Sequence, residues 1–263
     1  MRHVIITSPA NATIKMIRSL RQRKARVASG LCFVEGIRLV TEAAEAGAEL
    51  VQLVVAPALL TSAFAHDLVA TLRQQGTEVI EVSAEVFASL SAKDGPQGLA
   101  AVVRQRWLDL AEVQLDQAPR WIALIEPADP GNLGTIIRTV DGVGASGVII
   151  VEPAADPYDP AALRASMGAA FAVPLVRTSW AELAAWKRAT GVTMVGSSDQ
   201  AATDFRQAAY PTPLVLLMGS ERQGLSAEQQ ALCDLMVAIP MRGRSDSLNL
   251  AVAAGILLYE LAS

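Results

Sequence analysis

Histidine and cysteine are almost missing from this chain, and several kinds of chemistry go with them. Only His3 and His66, and only Cys32 and Cys233, occur in 263 residues. Two histidines argue against Ser-His-Asp hydrolysis and His-ligated metal centres. The cysteines lie far apart with no C-x-x-C pair, which argues against zinc and fits a reducing cytosol. No metal is therefore expected. Long apolar runs are lacking too: Leu250–Tyr259, the most apolar stretch, is about half the length of a membrane helix. The N-terminus lacks the apolar core of a secretory signal, so the expectation is a cytoplasmic protein with no membrane partner. Aromatic residues make up only 5% of the chain, yet 52% is hydrophobic and the mean hydropathy is +0.34. That content supplies a packed core and excludes disorder and fibrous repeats. The length suits one large or two modest domains.

Positive charge is scarce overall, with a net charge of −4, but it is unevenly spread. Residues 1–40 hold Arg2, Lys15, Arg18, Arg21, Arg23, Lys24, Arg26 and Arg38 against one acid, Glu35. The segment is thus +7 and the remaining 223 residues are −11. A basic arm on an acidic body implies either an anionic partner met by one region or a solvated helix face.

Residues 1–105 read as a small α/β unit. Asn11 or Thr13 caps a helix through Ile14, Ile17 and Leu20, with Arg18, Arg21 and Lys24 on another face. A strand at 33–36, helix 37–46, strand 51–55, helix 66–75, strand 79–82 and strand 99–103 follow. The polar stretch 106–119, with Pro119, is placed as a linker before a second domain, 120–263. There the pattern predicts strands at 121–125, 148–151, 193–195, 214–218 and 236–239. Helices are predicted at 133–143, 161–170, 180–189, from Ser226 to near Asp234, and 247–261. Nearly continuous apolar strands alternating with helices predict a parallel sheet covered on both faces.

Gly142-Val-Gly144-Ala-Ser-Gly147 matches G-x-G-x-x-G, but in the wrong order for a dinucleotide site. The glycines follow a predicted helix and lead into a strand, so they end the helix and turn the chain instead. The phosphate-cradling pattern G-x-x-x-x-G-K-S/T is absent.

Three segments share another arrangement: an apolar strand, a glycine-bearing polar turn, then a helix. They are Asn132-Leu-Gly134-Thr-Ile-Ile-Arg138-Thr, Met218-Gly219-Ser220-Glu221-Arg222-Gln223-Gly224-Leu225, and Ile239-Pro240-Met241-Arg242-Gly243 continuing to Ser247-Leu248-Asn249. In a parallel sheet such loops lie at the carboxyl ends of the strands, where ligands bind. Glycine lets a ligand approach the backbone, while Asn, Ser, Glu and Arg supply directed hydrogen bonds. Singly, each has an ordinary explanation. Asn132 and Ser247 can cap helices, Glu221 can be a surface acid, and Arg138 can pair with a carboxylate.

In this order the three segments closely resemble motifs 1, 2 and 3 of the SpoU/TrmH family of RNA ribose 2′-O-methyltransferases. The resemblance extends over nearly the whole chain. Asn11-x-x-Ile14-Lys15, the basic run to Arg26, and Phe33-Val34-Glu35-Gly36 look like the family's L30e-like RNA-binding domain. Arg164-Ala-Ser166-Met167-Gly168-Ala-Ala-Phe171 is also similar to the family. The implied fold is α/β: a C-terminal SPOUT domain, trefoil-knotted around a parallel sheet, preceded by a smaller L30e-like α/β domain.

The resemblance implies S-adenosylmethionine as methyl donor, held through Gly219, Ile239, Met241 and Leu248. It implies Arg138 as the catalytic group, with Asn132, Glu221, Ser247 and Asn249 around it. A guanidinium with a pKa above about 12 is a poor base, so clamping phosphate and stabilising oxyanion charge suit Arg138 better. Lys15, Arg18, Arg21, Arg23, Lys24 and Arg26 are the expected RNA contacts. A homodimer through the knotted domains is implied, with motif 1 completing the neighbour's site. The separate N-terminal domain favours 23S rRNA as substrate. A tRNA ribose methyltransferase, or a non-catalytic RNA-binding protein on the same scaffold, are the alternatives.

Overall fold

In the computed structural model, residues 5–92, 95–117 and 119–262 are described. Arg2 and His3 lie outside them. The chain divides into two compact units, Met1–Gln105 with Tyr158–Ala172, and Arg106–Pro157 with Val173–Ser263.

The first unit opens with α1 (Ala12–Ser19), where the Asn11 side chain accepts the Thr13 N–H and Ile14 and Ile17 are buried. Leu20 caps α1, and α2 (Arg23–Ser29) begins after a turn, ending at Gly30 with φ 66°. Strand β1 (Leu31–Glu35), α3 (Ile37–Glu45), β2 (Leu50–Val55), α4 (Ala63–Gln74), β3 (Glu78–Glu81), α5 (Ala84–Leu90) and β4 (Leu99–Arg104) follow. The strands run in the order β1-β4-β2-β3, and β4 is antiparallel to both neighbours. This sheet is therefore mixed, not parallel. At seven residues each, α2 and α5 are too short to show a helical period in the sequence.

The second unit takes β5 (Arg120–Ile125), α6 (Pro130–Val143) and β6 (Gly147–Val151). Then α7 (Pro160–Ser166) and α8 (Ala169–Ala172) belong to the first unit, although the sequence pattern placed them in the C-terminal domain as one helix. Met167 and Gly168, with φ of 55° and 99°, break that helix. A Cβ at Gly168 would lie 2.5 Å from the Glu42 Cβ, so only glycine lets the chain pass so close to α3.

The second unit resumes with β7 (Leu175–Thr178), α9 (Trp180–Thr190), β8 (Thr193–Ser197), β9 (Thr203–Asp204), β10 (Leu214–Met218), α10 (Ala227–Leu232), β11 (Leu235–Ala238) and α11 (Leu250–Ala262). Its seven strands run in the order β7-β6-β5-β10-β8-β11-β9, every pair parallel. Strands β6 and β10 are buried throughout, as continuous apolar runs require when helices cover both faces. Gly144 ends α6 in the left-handed conformation and Gly147 opens β6, so the G-x-G-x-x-G run is a helix stop and a turn. The stretch 106–119 is no free linker: Val113 is buried in the core of this unit, and Leu108, Leu110 and Leu115 pack against it.

Arg26 corrects the reading of the basic arm. It is 1% exposed, and its guanidinium donates to the carbonyls of Leu20 and Arg21 at 3.0 and 2.9 Å and to Asp159 at 3.1 Å. A cation so enclosed must be paired, and this one cannot reach RNA. Arg18 and Arg21 are also spent within their unit, donating to Ser89 Oγ and to the carbonyls of Leu90 and Ser91. Lys15 and Lys24 are exposed and make no hydrogen bond or ion pair with the described residues, and Arg23 is exposed. Replacing Arg26 by methionine is expected to destabilise the protein by about 3 kcal/mol, because Asp159 and two carbonyls lose their donor. Urea unfolding checks this, and a loss below about 1 kcal/mol would show the clamp to be dispensable.

Candidate functional site

A cavity of about 670 Å³ opens at the carboxyl ends of β8, β10 and β11. Its lining comes from three loops: Ser197–Gln200 after β8, Met218–Leu225 after β10, and Ile239, Met241 and Asp246–Asn249 after β11. Asn132 in the first turn of α6, Gln230 in α10, and Leu250 and Ala253 in α11 also line it. In a parallel sheet this is the end where loops diverge and leave a crevice.

Each loop is shaped by local sequence. Ser220 and Gly224 exchange two backbone hydrogen bonds, at 3.2 and 3.0 Å, and the Gln223 N–H donates to Ser220 Oγ. This closes a tight turn directly over Gly219. A Cβ on Gly219 would lie 2.1 Å from the Gly224 carbonyl carbon and 2.5 Å from the Leu225 nitrogen, so glycine is obligatory there. After β11, the Asn249 side chain accepts the N–H groups of Ala251 and Val252 and starts α11 at Leu250. Helix α11 thus begins three residues later than predicted, and its cap is Asn249, not Ser247. Likewise Asp129 caps α6 by accepting the Asn132 N–H, which frees the Asn132 side chain.

The freed amide ties the first turn of α6 to the loops after β10 and β11. Asn249 Nδ2 donates to Asn132 Oδ1 at 3.0 Å, and Asn132 Nδ2 reaches Glu221 Oε1 at 3.5 Å. The other Glu221 oxygen accepts the Ala128 N–H at 3.1 Å. Residues from after β5, β10 and β11 are thereby tied into one polar chain on the cavity rim.

Of the predicted site residues, Asn132, Gly219, Glu221, Ile239, Met241, Ser247, Leu248 and Asn249 all line this cavity. Arg138 does not. It lies six residues along α6, exposed, with no hydrogen bond or ion pair to any described residue. The loop Ser197–Gln200 carries no glycine-rich signature in the sequence; its Asp199 adds a third carboxylate to the cavity lining, with Glu221 and Asp246. Cys233, near β8, is chemically quiet. Burial pushes its thiol up to about 12, and the thiol donates to the Gln229 carbonyl. Among the described residues, no group of three or more His, Cys, Asp or Glu side chains could hold a metal ion. No helix among them is long and apolar enough to cross a membrane.

A fully parallel seven-stranded sheet, with a strand-end cavity where the first turn of α6 is tied to the loops after β10 and β11, is the architecture of a SPOUT-type methyltransferase domain. Known proteins carry the assignment further: residues 119–259 match the SpoU rRNA methylase family, and residues 11–101 match the MRM3-like substrate binding domain. The chain belongs to the SpoU rRNA methylase family. It is 35% identical over 248 residues to the 23S rRNA (uridine(2479)-2′-O)-methyltransferase of Streptomyces viridochromogenes, covering 92% of this chain and 85% of that one. Among solved structures, the AdoMet-bound rRNA methyltransferase from Sinorhizobium meliloti superposes with a TM-score of 0.90 at 36% identity, covering 99% of this chain and 98% of that one. The AdoMet complex of the SpoU methyltransferase AviRb from Streptomyces viridochromogenes gives a TM-score of 0.86 at 33% identity, covering 96% of this chain and 97% of that one.

The cavity suits S-adenosylmethionine (AdoMet), a cation with a flat aromatic base at one end whose faces pack against apolar side chains. Leu225, Ile239, Met241 and Leu248 supply apolar lining, while Asp199, Glu221 and Asp246 supply negative charge. Gly219 lets the turn close on its own Gly224–Leu225 backbone, and at Gly224 the backbone is open, with nothing within 4 Å of where a Cβ would lie. The volume falls within the usual range for cofactor sites, about 300–1,000 Å³.

Proposed function

We propose that the protein transfers a methyl group from S-adenosylmethionine to a ribose 2′-oxygen of 23S rRNA. The interlocked chain from Asn249 through Asn132 to Glu221, over the bare Gly219 turn, carries this reading. Near full-length similarity to a 23S rRNA ribose methyltransferase supports the substrate. A substrate-binding domain at residues 11–101 supports it as well.

The cofactor, when bound, supplies a methyl group already activated on a sulfonium. The chain's own work is to align the 2′-hydroxyl and to manage its proton. Gly219 and the apolar residues Ile239, Met241 and Leu248 hold the cofactor. Asn132, Glu221 and Asn249 fix the first turn of α6 and the loops after β10 and β11 against one another, and Ser247 offers a hydroxyl from the same rim. Fixed positioning of this kind supplies on the order of 7–11 kcal/mol in the best cases. Arg138 stabilises the developing oxyanion and clamps the adjacent phosphate, as a permanently charged fork suits.

Arg138 lies outside the cavity of its own chain, which supports a homodimer in which it completes the partner's site. Two exposed apolar side chains of α11 at helical spacing, Val252 and Tyr259, support a surface for such a dimer. The expected setting is the cytoplasm.

The purified protein, given tritiated S-adenosylmethionine and either a 23S rRNA transcript or bulk tRNA, is expected to label the 23S transcript. The labelled ribose should resist alkaline cleavage. Label in tRNA alone would move the assignment to a tRNA ribose. Label in neither RNA, with no cofactor binding, would make the chain a non-catalytic RNA-binding protein.

A further inference from the structure

The second unit is acidic, with ten arginines and lysines against sixteen aspartates and glutamates, yet part of its surface is not. Some of its cations are paired: Arg177 with Glu152 at 3.5 Å, Lys187 with Asp234 at 2.8 Å, and Arg206 with Asp204 at 2.6 Å. Three others stand on the loops that supply the cavity's lining. Arg222 lines it, and Arg242 and Arg244 lie in the loop between Met241 and Asp246, which both line it. All three are exposed and their side chains make no hydrogen bond or ion pair with any described residue; Arg242 adds its charge to the Arg206 hydrogen bonds that hold the Asp204 carboxyl below its ordinary range.

Substrate chemistry gives these cations an anion. In RNA the 2′-oxygen and the 3′-phosphate sit on adjacent ribose carbons. A 2′-hydroxyl entering this cavity therefore brings a phosphodiester to its mouth. The guanidinium fork matches phosphate geometry and also stacks on an unpaired base. We infer that Arg222, Arg242 and Arg244 form a second RNA-binding site, on the catalytic unit itself, that grips the backbone flanking the target nucleotide. This rests on the assignment of RNA as substrate. It adds to the basic arm a contact that the domain's net charge conceals.

Filter binding of a 23S rRNA transcript, with salt varied over about 50–200 mM, tests it without turnover. Each phosphate contact on a single strand contributes about 0.7 to the slope of log K against log salt. The double variant Arg242→Gln/Arg244→Gln is expected to lose about 1.4 from that slope. It should bind RNA at least tenfold more weakly and keep S-adenosylmethionine affinity within twofold. Arg242→Lys/Arg244→Lys should keep the slope, and so should Arg188→Gln, an exposed arginine on α9 outside the cavity. An unchanged slope in the glutamine pair would overturn the inference. So would loss of cofactor affinity or a changed oligomeric state, since either assigns the loop another role. Wild-type protein that binds RNA with the expected slope but never methylates it would sink the proposed reaction and leave this site supported.

Discussion

Arg138→Ala is expected to lower methyl transfer by at least about a thousandfold while leaving S-adenosylmethionine affinity within twofold. The size follows from what one charged group aimed at developing negative charge contributes, on the order of 10²–10⁵ in rate. The selectivity follows from position: Arg138 is exposed on α6 and absent from the cofactor cavity of its own chain. Its removal therefore takes away no cofactor contact within the chain. Lysine in its place keeps the charge but loses the planar fork, so Arg138→Lys should fall between wild type and alanine. Single-turnover transfer to 23S rRNA and calorimetric cofactor binding separate the two effects. Transfer within tenfold of wild type in Arg138→Ala would remove this residue from the mechanism.

Gly219→Ala is expected to weaken cofactor binding by about 100-fold, or about 2.7 kcal/mol. The added Cβ would sit 2.1 Å from the Gly224 carbonyl carbon and 2.5 Å from its oxygen. These are backbone atoms held by the two Ser220–Gly224 hydrogen bonds, so the turn must open before alanine fits. Gly243 gives the control. It lies in the loop after β11, and a Cβ there meets nothing within 4 Å. Gly243→Ala should bind the cofactor as wild type does. Unchanged affinity in Gly219→Ala, with stability also unchanged, would mean that the turn yields at no cost and is not the cradle.

Much of the second unit was legible because its strands are local patterns. Leu214–Met218 and Val148–Val151 are continuous apolar runs bounded by glycine or proline, and the structure buries them as parallel strands. The elements that escaped are those whose cause is not local. Helix α7 stops at Met167 because Gly168 must pass Glu42, more than a hundred residues away in the chain. β4 joins β1 and β2 antiparallel, a pairing that its own apolar residues Leu99–Val103 do not encode. The stretch 106–119 looks polar on average, but its leucines and Val113 follow the core.

The candidate site shows the same division. Asn132, Glu221, Gly219 and Asn249 were selected by the resemblance of three ordered segments to the SpoU/TrmH motifs, since each residue taken singly has an ordinary structural explanation. Sequence could not show that Asn249 would hold Asn132 across 117 positions, nor that Asn132 would reach Glu221 across 89. It could not show that Asp199 would join them.

Composition by itself argued against metal-centre and triad chemistry and set a packed core with a basic arm, and the alternation of apolar strands with helices set the α/β class. Only the tertiary structure decided what each charge does. Arg26 reads in sequence like its neighbours Arg23 and Lys24, yet it is buried against Asp159, while Arg242 and Arg244 stand exposed in an acidic unit. A side chain's charge is a local property. Its partner is set by which distant segments the core brings together, and desolvation then fixes whether that charge serves the fold or a ligand.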